Sequence, residues 1–182
     1  MHSKDFDIVV DPVSKIEGHA ELDIRVRNGE VEHVKLKINE NKRFYTQAVR
    51  GKNFNSIPQL VSRICGTCSV AHLNCSTEAL EKALNVEPSQ QTKLIRKLSM
   101  YGLNIRDHAM HLYLFCLPDI FKKDSVLDFE GKDAQWIKDA FEVKAAGNAL
   151  STLVLGRAVH GMYAQIGGYA KVPEKEQMKQ TV

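Results

Sequence analysis

The chain has 182 residues, 43% of them hydrophobic, with 25 basic residues against 22 acidic ones and a formal net charge of +3. That length supports one domain with a sizeable core, and the balanced charge argues against a nucleic-acid or anionic-membrane surface. Four cysteines are too few for a disulfide framework, no apolar run approaches the roughly eighteen residues of a membrane span, and the polar opening Met1-His2-Ser3-Lys4-Asp5 is unlike a secretory signal, so a cytoplasmic location is expected.

Residues 6–10, Phe-Asp-Ile-Val-Val, form a short apolar run stopped by Asp11-Pro12, which predicts a strand. Ala20, Leu22, Ile24 and Val26 alternate with Glu21, Asp23, Arg25 and Arg27, and Val34, Leu36 and Ile38 resume the alternation. Between them Asn28-Gly29 supplies the positive φ angles of a tight hairpin. Residues 1–40 therefore read as a small antiparallel sheet. Glu17 lies in the connection between the first two strands; by residue type alone it is a solvated turn glutamate, and His19 is an exposed polar residue at a strand start.

A polar stretch over 39–51, with a helical turn around 44–49, leads to Pro58, where a helix is expected to start, and 60–84 is apolar-rich up to Asn85. Pro88 opens a second helix of about 29 residues, or roughly 43 Å, in which Leu94, Leu98, Tyr101, Ile105, His108, Leu112 and Phe115 recur every three or four positions until Leu117-Pro118 ends it. His108 and His111 share a face but gain only Asp107 as a neighbouring donor, so they read as core or interface histidines. Residues 119–132 read as a loop. Asp133 is placed to cap a third long helix carrying Trp136, Ile137, Ala140, Phe141, Ala145, Ala149, Leu153 and Leu155, whose small residues Ala145, Ala146, Gly147, Ala149 and Ser151 admit a close neighbour. Arg157 and His160 lie past its regular stripe, either as helix-end cations or facing a site or partner. The expected fold class is α+β in a single domain over 1–182: the sheet over 1–40, then a long-helix bundle over 57–168.

The chemistry concentrates in Arg63-Ile-Cys-Gly-Thr-Cys-Ser-Val-Ala-His72. On a helix, Cys65, Cys68, His72 and Cys75 would share one face; with Gly66 between the cysteines, the segment could equally be a tight loop feeding a helix. Either geometry makes a chelate of two thiolates, soft donors suited to soft or borderline metals, with Arg63 and His72 placed to favour a metal-bound sulfur or hydrogen-bond to the metal's other ligands. A structural zinc site needs two more ligands, and Cys75 and Cys116 do not form a second CxxC. A thioredoxin-like redox pair needs a βαβ setting that the flanking pattern lacks.

These residues also resemble a known signature. Arg63-x-Cys65-Gly66-x-Cys68-x-x-x-His72 looks like the N-terminal metal-binding motif of nickel-iron hydrogenase large subunits. The resemblance extends to Asp11-Pro-Val-Ser-Lys-Ile-Glu17-Gly-His19, Val49-Arg-Gly-Lys52, Val86-Glu-Pro-Ser-Gln-Gln-Thr-Lys-Leu94, Asp107-His-Ala-Met-His-Leu-Tyr-Leu-Phe-Cys-Leu-Pro-Asp119, Gly156-Arg-Ala-Val-His-Gly161 and Gly167-Gly168, in the family's order. The family's second cysteine pair has no counterpart here.

The resemblance implies reversible heterolytic cleavage of dihydrogen at a nickel-iron centre, the iron carrying diatomic ligands, with electrons leaving through iron-sulfur clusters on a separate small subunit. It implies Cys65 as a terminal nickel ligand, Cys68 as the sulfur bridging to iron, His72 hydrogen-bonding near that bridge beside Arg63, and Glu17 relaying the proton. It also implies a source for the missing cysteine pair: the rest of a longer chain, or a second polypeptide carrying a C-terminal CxxC. Family members commonly hold magnesium with a glutamate near Thr46; threonine is a weaker ligand, and that site is not carried over. The alternatives are a non-catalytic interaction subunit of a hydrogenase-like or complex I-like assembly, and a zinc-stabilised module.

Overall fold

Alternating residues pair as the pattern predicts. In the computed structural model, which describes residues 4–13, 16, 18–39 and 42–181, strands β1 (Phe6–Val10), β2 (Ala20–Arg27) and β3 (Glu30–Ile38) form an antiparallel sheet in the order β1-β2-β3. The β2–β3 turn uses Asn28 at φ 56° and Gly29 at φ 81°. A register shift between Arg25 and Val26 then restores pairing after the turn. Ala20 and Val26 are buried, while Lys37 bridges Glu21 at 2.5 Å and Asp23 at 3.4 Å. Helix α1 (Lys42–Val49) follows. The chain divides into two compact units, 1–48 and 49–182.

The second unit is helical. Its core joins Val70 and Leu73 of α3 (Ser69–Leu84), Ile95 and Leu103 of α4 (Gln90–Met110), Val154 and Leu155 of α6 (Gln135–Leu155), and Ala164 of β4 (Ala164–Gln165). Ser89 caps α4, its Oγ accepting the Thr92 N–H at 3.2 Å. Asn85 ends α3 in the left-handed conformation, as expected of a residue that tolerates positive φ.

Several boundaries differ from the sequence pattern. The apolar stretch 60–84 is not one helix: α2 (Ile57–Val61) ends at Ser62, and α3 starts only at Ser69. Pro118 does not stop the second helix. A π-helical turn, His111–Cys116, widens the spiral, with the Leu117 N–H reaching the Leu112 carbonyl, and α5 (Leu117–Phe121) continues with proline in its first turn. A proline needs no N–H there, and the wider turn relieves its ring's clash with the preceding turn. Within 119–132, Val126–Asp128 forms a 3₁₀ turn, and Phe121 and Phe129 pack with Trp136, ring centroids 4.9 to 5.8 Å apart. Helix α6 begins without a side-chain cap, its N-cap being Ala134 rather than Asp133.

The packed face of α4 is also not the one with the largest apolar residues. Leu94, Leu98, Tyr101, Ile105, Leu112 and Phe115 are exposed, Leu94 by 62%. The buried face is Thr92, Ile95, Arg96, Ser99, Gly102, Leu103, Arg106 and Ala109. Close helix approach selects small side chains: a Cβ added to Gly102 would lie 2.6 Å from Ser151 Oγ, and one on Gly147 would lie 2.8 Å from the Gly102 carbonyl oxygen. Gly147 and Ser151 of α6 thus admit a close neighbour as predicted, while Ala145, Ala146 and Ala149 remain exposed. An apolar groove of about 510 Å³ runs beside the exposed stripe, lined by Leu94, Leu98, Ile105, Leu153 and residues leading into α7 (Lys175–Thr181). Among the described residues no helix is long and apolar enough to cross a membrane.

Glu81 and Arg96, 4% and 5% exposed, tie α3 to α4 by two hydrogen bonds of 2.5 and 2.6 Å. Glu81 Oε1 also accepts the Gly167 N–H at 2.6 Å, anchoring the turn between β4 and β5 (Gly168–Tyr169). Burial pushes the Glu81 carboxyl up, but the bonds from Arg96 and Gly167 outweigh it and leave it below the ordinary glutamate value.

Three expected outcomes concern this unit. Glu81→Gln strands a buried guanidinium and should cost about 3–5 kcal/mol in denaturant unfolding. Because the folded-state pKa is depressed, the wild-type contribution is full above the ordinary glutamate range and fades as pH falls through the lower folded value; the variant should lack that component of the acid limb. Leu103→Ala should cost about 2–5 kcal/mol, whereas Leu94→Ser should change stability by no more than about 0.5 kcal/mol. If the exposed stripe drives self-association, Leu94→Ser with Leu98→Ser should reduce it in sedimentation of the isolated chain without loss of helix signal.

Candidate metal centre

The cysteine motif occupies the break between α2 and α3, so the tight-loop alternative is the one adopted. Cys65 lies in the loop and Cys68 is the N-cap of α3, both half-buried. The Cys68 N–H points at Cys65 Sγ, 3.3 Å away, closing the loop on its own sulfur. His72 is one turn into the helix, its N–H donating to the Cys68 carbonyl at 3.2 Å, and it too is half-buried. Cys75 is exposed further along α3. The positive end of α3 and a sulfur-directed amide both complement negative charge on a metal-bound thiolate.

Arg63 is exposed in the turn that leaves α2. The guanidinium hydrogen-bonded to the loop comes instead from Arg106 on α4, 2% exposed. Its Nη2 donates to the Thr67 carbonyl at 2.8 Å, and its Nη1 to the Ala158 carbonyl at 2.5 Å and to Asn148 Oδ1 at 3.4 Å. Burial lowers the Arg106 pKa from its ordinary value, with Asp107 and Cys65 acting in the opposite direction. The apolar periodicity of α4 marks the opposite face and gives no sign of this residue. A pointer was present, since Arg106 lies four positions after Gly102, on the small-residue face.

The segment after α6 braces the same loop. Gly156, at φ 80°, ends α6 with its N–H on the Thr152 carbonyl at 2.8 Å, and the chain turns back. The His160 N–H donates to Ser69 Oγ at 3.1 Å, and its Nδ1 lies 3.0 Å from the Ser62 carbonyl. A carbonyl only accepts, so Nδ1 carries the proton. Gln59 Nε2 donates to the Gly161 carbonyl at 2.9 Å, and Gly66 faces Val159. Ser62 and Ser69, both fully buried, thus frame the loop at either end. Of these two residues past α6, His160 faces the cysteine loop and Arg157 is exposed.

Other sequence candidates lie elsewhere. Glu17 is outside the described residues, as are Ser14 and Lys15 of its motif. His19 pairs with Asp11 at 3.2 Å, both exposed. His108 and His111 are exposed, so neither is a core histidine, and His111 Nδ1 lies 3.4 Å from Cys116 Sγ. Thr46 is exposed on α1. A cleft of about 670 Å³ opens at the far end of α3, around Glu81, Lys82, Lys93 and Arg96, away from the cysteines. Among the described residues no three His, Cys, Asp or Glu side chains gather as a metal site. The donor set suits a thiophilic metal but supplies two sulfurs, half of a four-sulfur set.

Residues 43–170 match a family model described as nickel-dependent hydrogenase, and residues 7–40 match a second, described as HoxL-like. The chain is 34% identical over 172 residues to the alpha subunit of sulfhydrogenase 2 from Pyrococcus furiosus, covering 94% of this chain and 42% of that protein. It is 30% identical to the alpha subunit of the coenzyme F420 hydrogenase from Methanothermobacter thermautotrophicus, over 90% of this chain and 38% of the relative. The periplasmic [NiFeSe] hydrogenase large subunit of Desulfomicrobium baculatum is 29% identical, over 88% and 33%. Among solved structures, the Ni-Fe-Se hydrogenase from D. vulgaris Hildenborough superposes with a TM-score of 0.74 at 27% identity, over 97% of this chain and 40% of that one. An NAD+-reducing [NiFe]-hydrogenase shares the fold, with a TM-score of 0.77 at 24% identity, over 97% and 41%. The chain thus spans about two fifths of the length of the first two of these relatives. With a cysteine loop built to present two sulfurs, and the family model running across it and through the helices that brace it, the chain belongs to the nickel-dependent hydrogenase family.

Proposed function

We propose that this chain is the N-terminal portion of a hydrogenase large subunit that cleaves dihydrogen heterolytically and reversibly, and that its two units act as a single domain there. The observation that carries the reading is the Cys65–Cys68 loop, closed by its own N–H to sulfur bond and braced from α4 and the post-α6 segment. A nickel-iron centre, the iron carrying diatomic ligands, would supply the Lewis acidity and electron density that split dihydrogen. Cys65 and Cys68 would hold the centre through their thiolates. The remaining two sulfurs would come from a second CxxC, on the rest of a longer chain or on a second polypeptide.

Within this chain the residues divide the work. The Cys68 N–H bond to Cys65 Sγ and the bracing from α4 hold both sulfurs in a fixed relation, which would lower the ordering cost of metal binding. His72, one turn along α3, would hydrogen-bond near the Cys68 sulfur, and Arg63 would border the site. Glu17 would take the proton and pass it on; a carboxyl suits this role when partial burial brings its pKa near the working pH. Electrons would leave to iron-sulfur clusters on a small subunit, the expected partner. The cysteine usage supports a reducing, cytoplasmic setting.

A zinc-stabilised module would need two further ligands, and a complex I-like interaction subunit would have no use for a preformed two-sulfur loop. Metal analysis of the natively assembled complex separates them: nickel with iron supports the hydrogenase, zinc alone the structural module, no metal the interaction subunit. Cys65→Ser or Cys68→Ser should abolish nickel retention, and full nickel occupancy in either variant would end the assignment. Glu17→Gln keeps the shape and removes the exchangeable proton, so dihydrogen turnover should fall by about 10² or more with metal content intact. Unchanged turnover would mean that the proton leaves by another route.

A further inference from the structure

Arg106 is a buried cation without a carboxylate at ion-pair distance among the described residues. Its donors go to two backbone carbonyls, Thr67 and Ala158, and to the neutral amide oxygen of Asn148. These satisfy hydrogen bonds but carry no net charge. Asp107, its neighbour in sequence, acts only at longer range, and the other group that interacts with it electrostatically is Cys65. A guanidinium stays protonated even when buried, so its charge calls for an anion close by.

The fold goes to some length to put this cation there. Gly147 lets α6 approach so closely that an added Cβ would lie 2.7 Å from the Arg106 N and 3.0 Å from its Cβ. The side chain then runs to the loop between the two cysteines, bonding the carbonyl of Thr67, the residue immediately before Cys68. A thiolate-rich metal site has the complementary need. Each thiolate brings a negative charge to the metals it binds and each electron the centre takes up adds another, which a fixed cation nearby stabilises.

We propose that Arg106 is the counter-cation and positioning residue of the Cys65–Cys68 loop, locking it through the Thr67 carbonyl and balancing the negative charge of a metal-bound thiolate set. This rests on the nickel-hydrogenase reading above. Arg106 need not touch dihydrogen or the metal; it acts through the loop backbone and through its field. Removing its charge disfavours the more negative, reduced form of the centre and lowers its midpoint potential at fixed pH.

The test compares Arg106→Gln, which keeps a hydrogen-bond donor without charge, with Arg106→Lys, which keeps the charge, in the natively assembled complex. Nickel content and an EPR-monitored redox titration of nickel are the readouts. In Arg106→Gln the midpoint potential should move to lower values, and in Arg106→Lys it should stay at or near the wild-type value. A merely structural residue would alter assembly or metal content without this charge-dependent split. If Arg106→Gln does not assemble, Arg106→Lys decides: nickel retained at the wild-type potential supports the charge role, and nickel lost with an unchanged melting temperature overturns it. Wild-type nickel content with an unshifted potential in Arg106→Gln overturns this inference alone. A wild-type complex without nickel overturns the functional reading and this inference with it.

Discussion

The crossing of α4 and α6 at Gly102 and Gly147 is the constraint on which the helical unit depends. With no side chain at either position the two backbones come together closely, and Ser151 fills the remaining space beside Gly102. Adding one methyl group at either glycine would force the helices apart, because the atoms it would meet include backbone that cannot swing away. The crossing brings the Arg106 backbone against α6, from where its side chain reaches the cysteine loop. It holds α6 against α4, and Gly156 then ends α6 so that the segment carrying His160 turns back to Ser62 and Ser69. The cysteine loop is therefore held by parts of the chain that are distant in sequence, with Arg106 bonding Thr67 across 39 positions and His160 bonding Ser62 across 98.

Polar groups do much of the specifying. The interior contains a bidentate Glu81–Arg96 pair, the Asn74–Ser99 hydrogen bond at 3.0 Å and the serines at both ends of the loop. Buried polar bonds are weak sources of net stability compared with apolar contact, but they tolerate few alternative geometries. A site that must hold two sulfurs in a fixed relation benefits from that intolerance. The apolar core, from Val70 and Leu73 to Leu155, supplies the driving force; the polar bonds set the register of the elements around it.

The exposed stripe on α4 and the half-complete sulfur set are two sides of the same situation. Leu94, Leu98, Tyr101, Ile105, Leu112 and Phe115 form a long exposed apolar face that the residues leading into α7 cover only in part. The motif likewise offers two sulfurs where a closed thiolate site uses four. Both are consistent with a chain that matches about two fifths of the length of its relatives.

Local chemistry was legible in the sequence wherever the cause is local. A short apolar run defined β1, alternation defined β2 and β3, Asn28-Gly29 defined the hairpin between those two, Asn85 ended α3, and Cys-x-x-Cys marked the two-sulfur loop. Pairing, turn geometry and ligand spacing depend on residues a few positions apart. Which face of α4 packs was decided by tertiary structure, because a periodic apolar stripe reports what is to be covered, not what covers it, and a close crossing selects glycine and serine over leucine. The same holds for the loop rather than helix at Cys65 and for the bond from Arg106 to that loop: each is set by contacts between distant segments, whose energies no local pattern records.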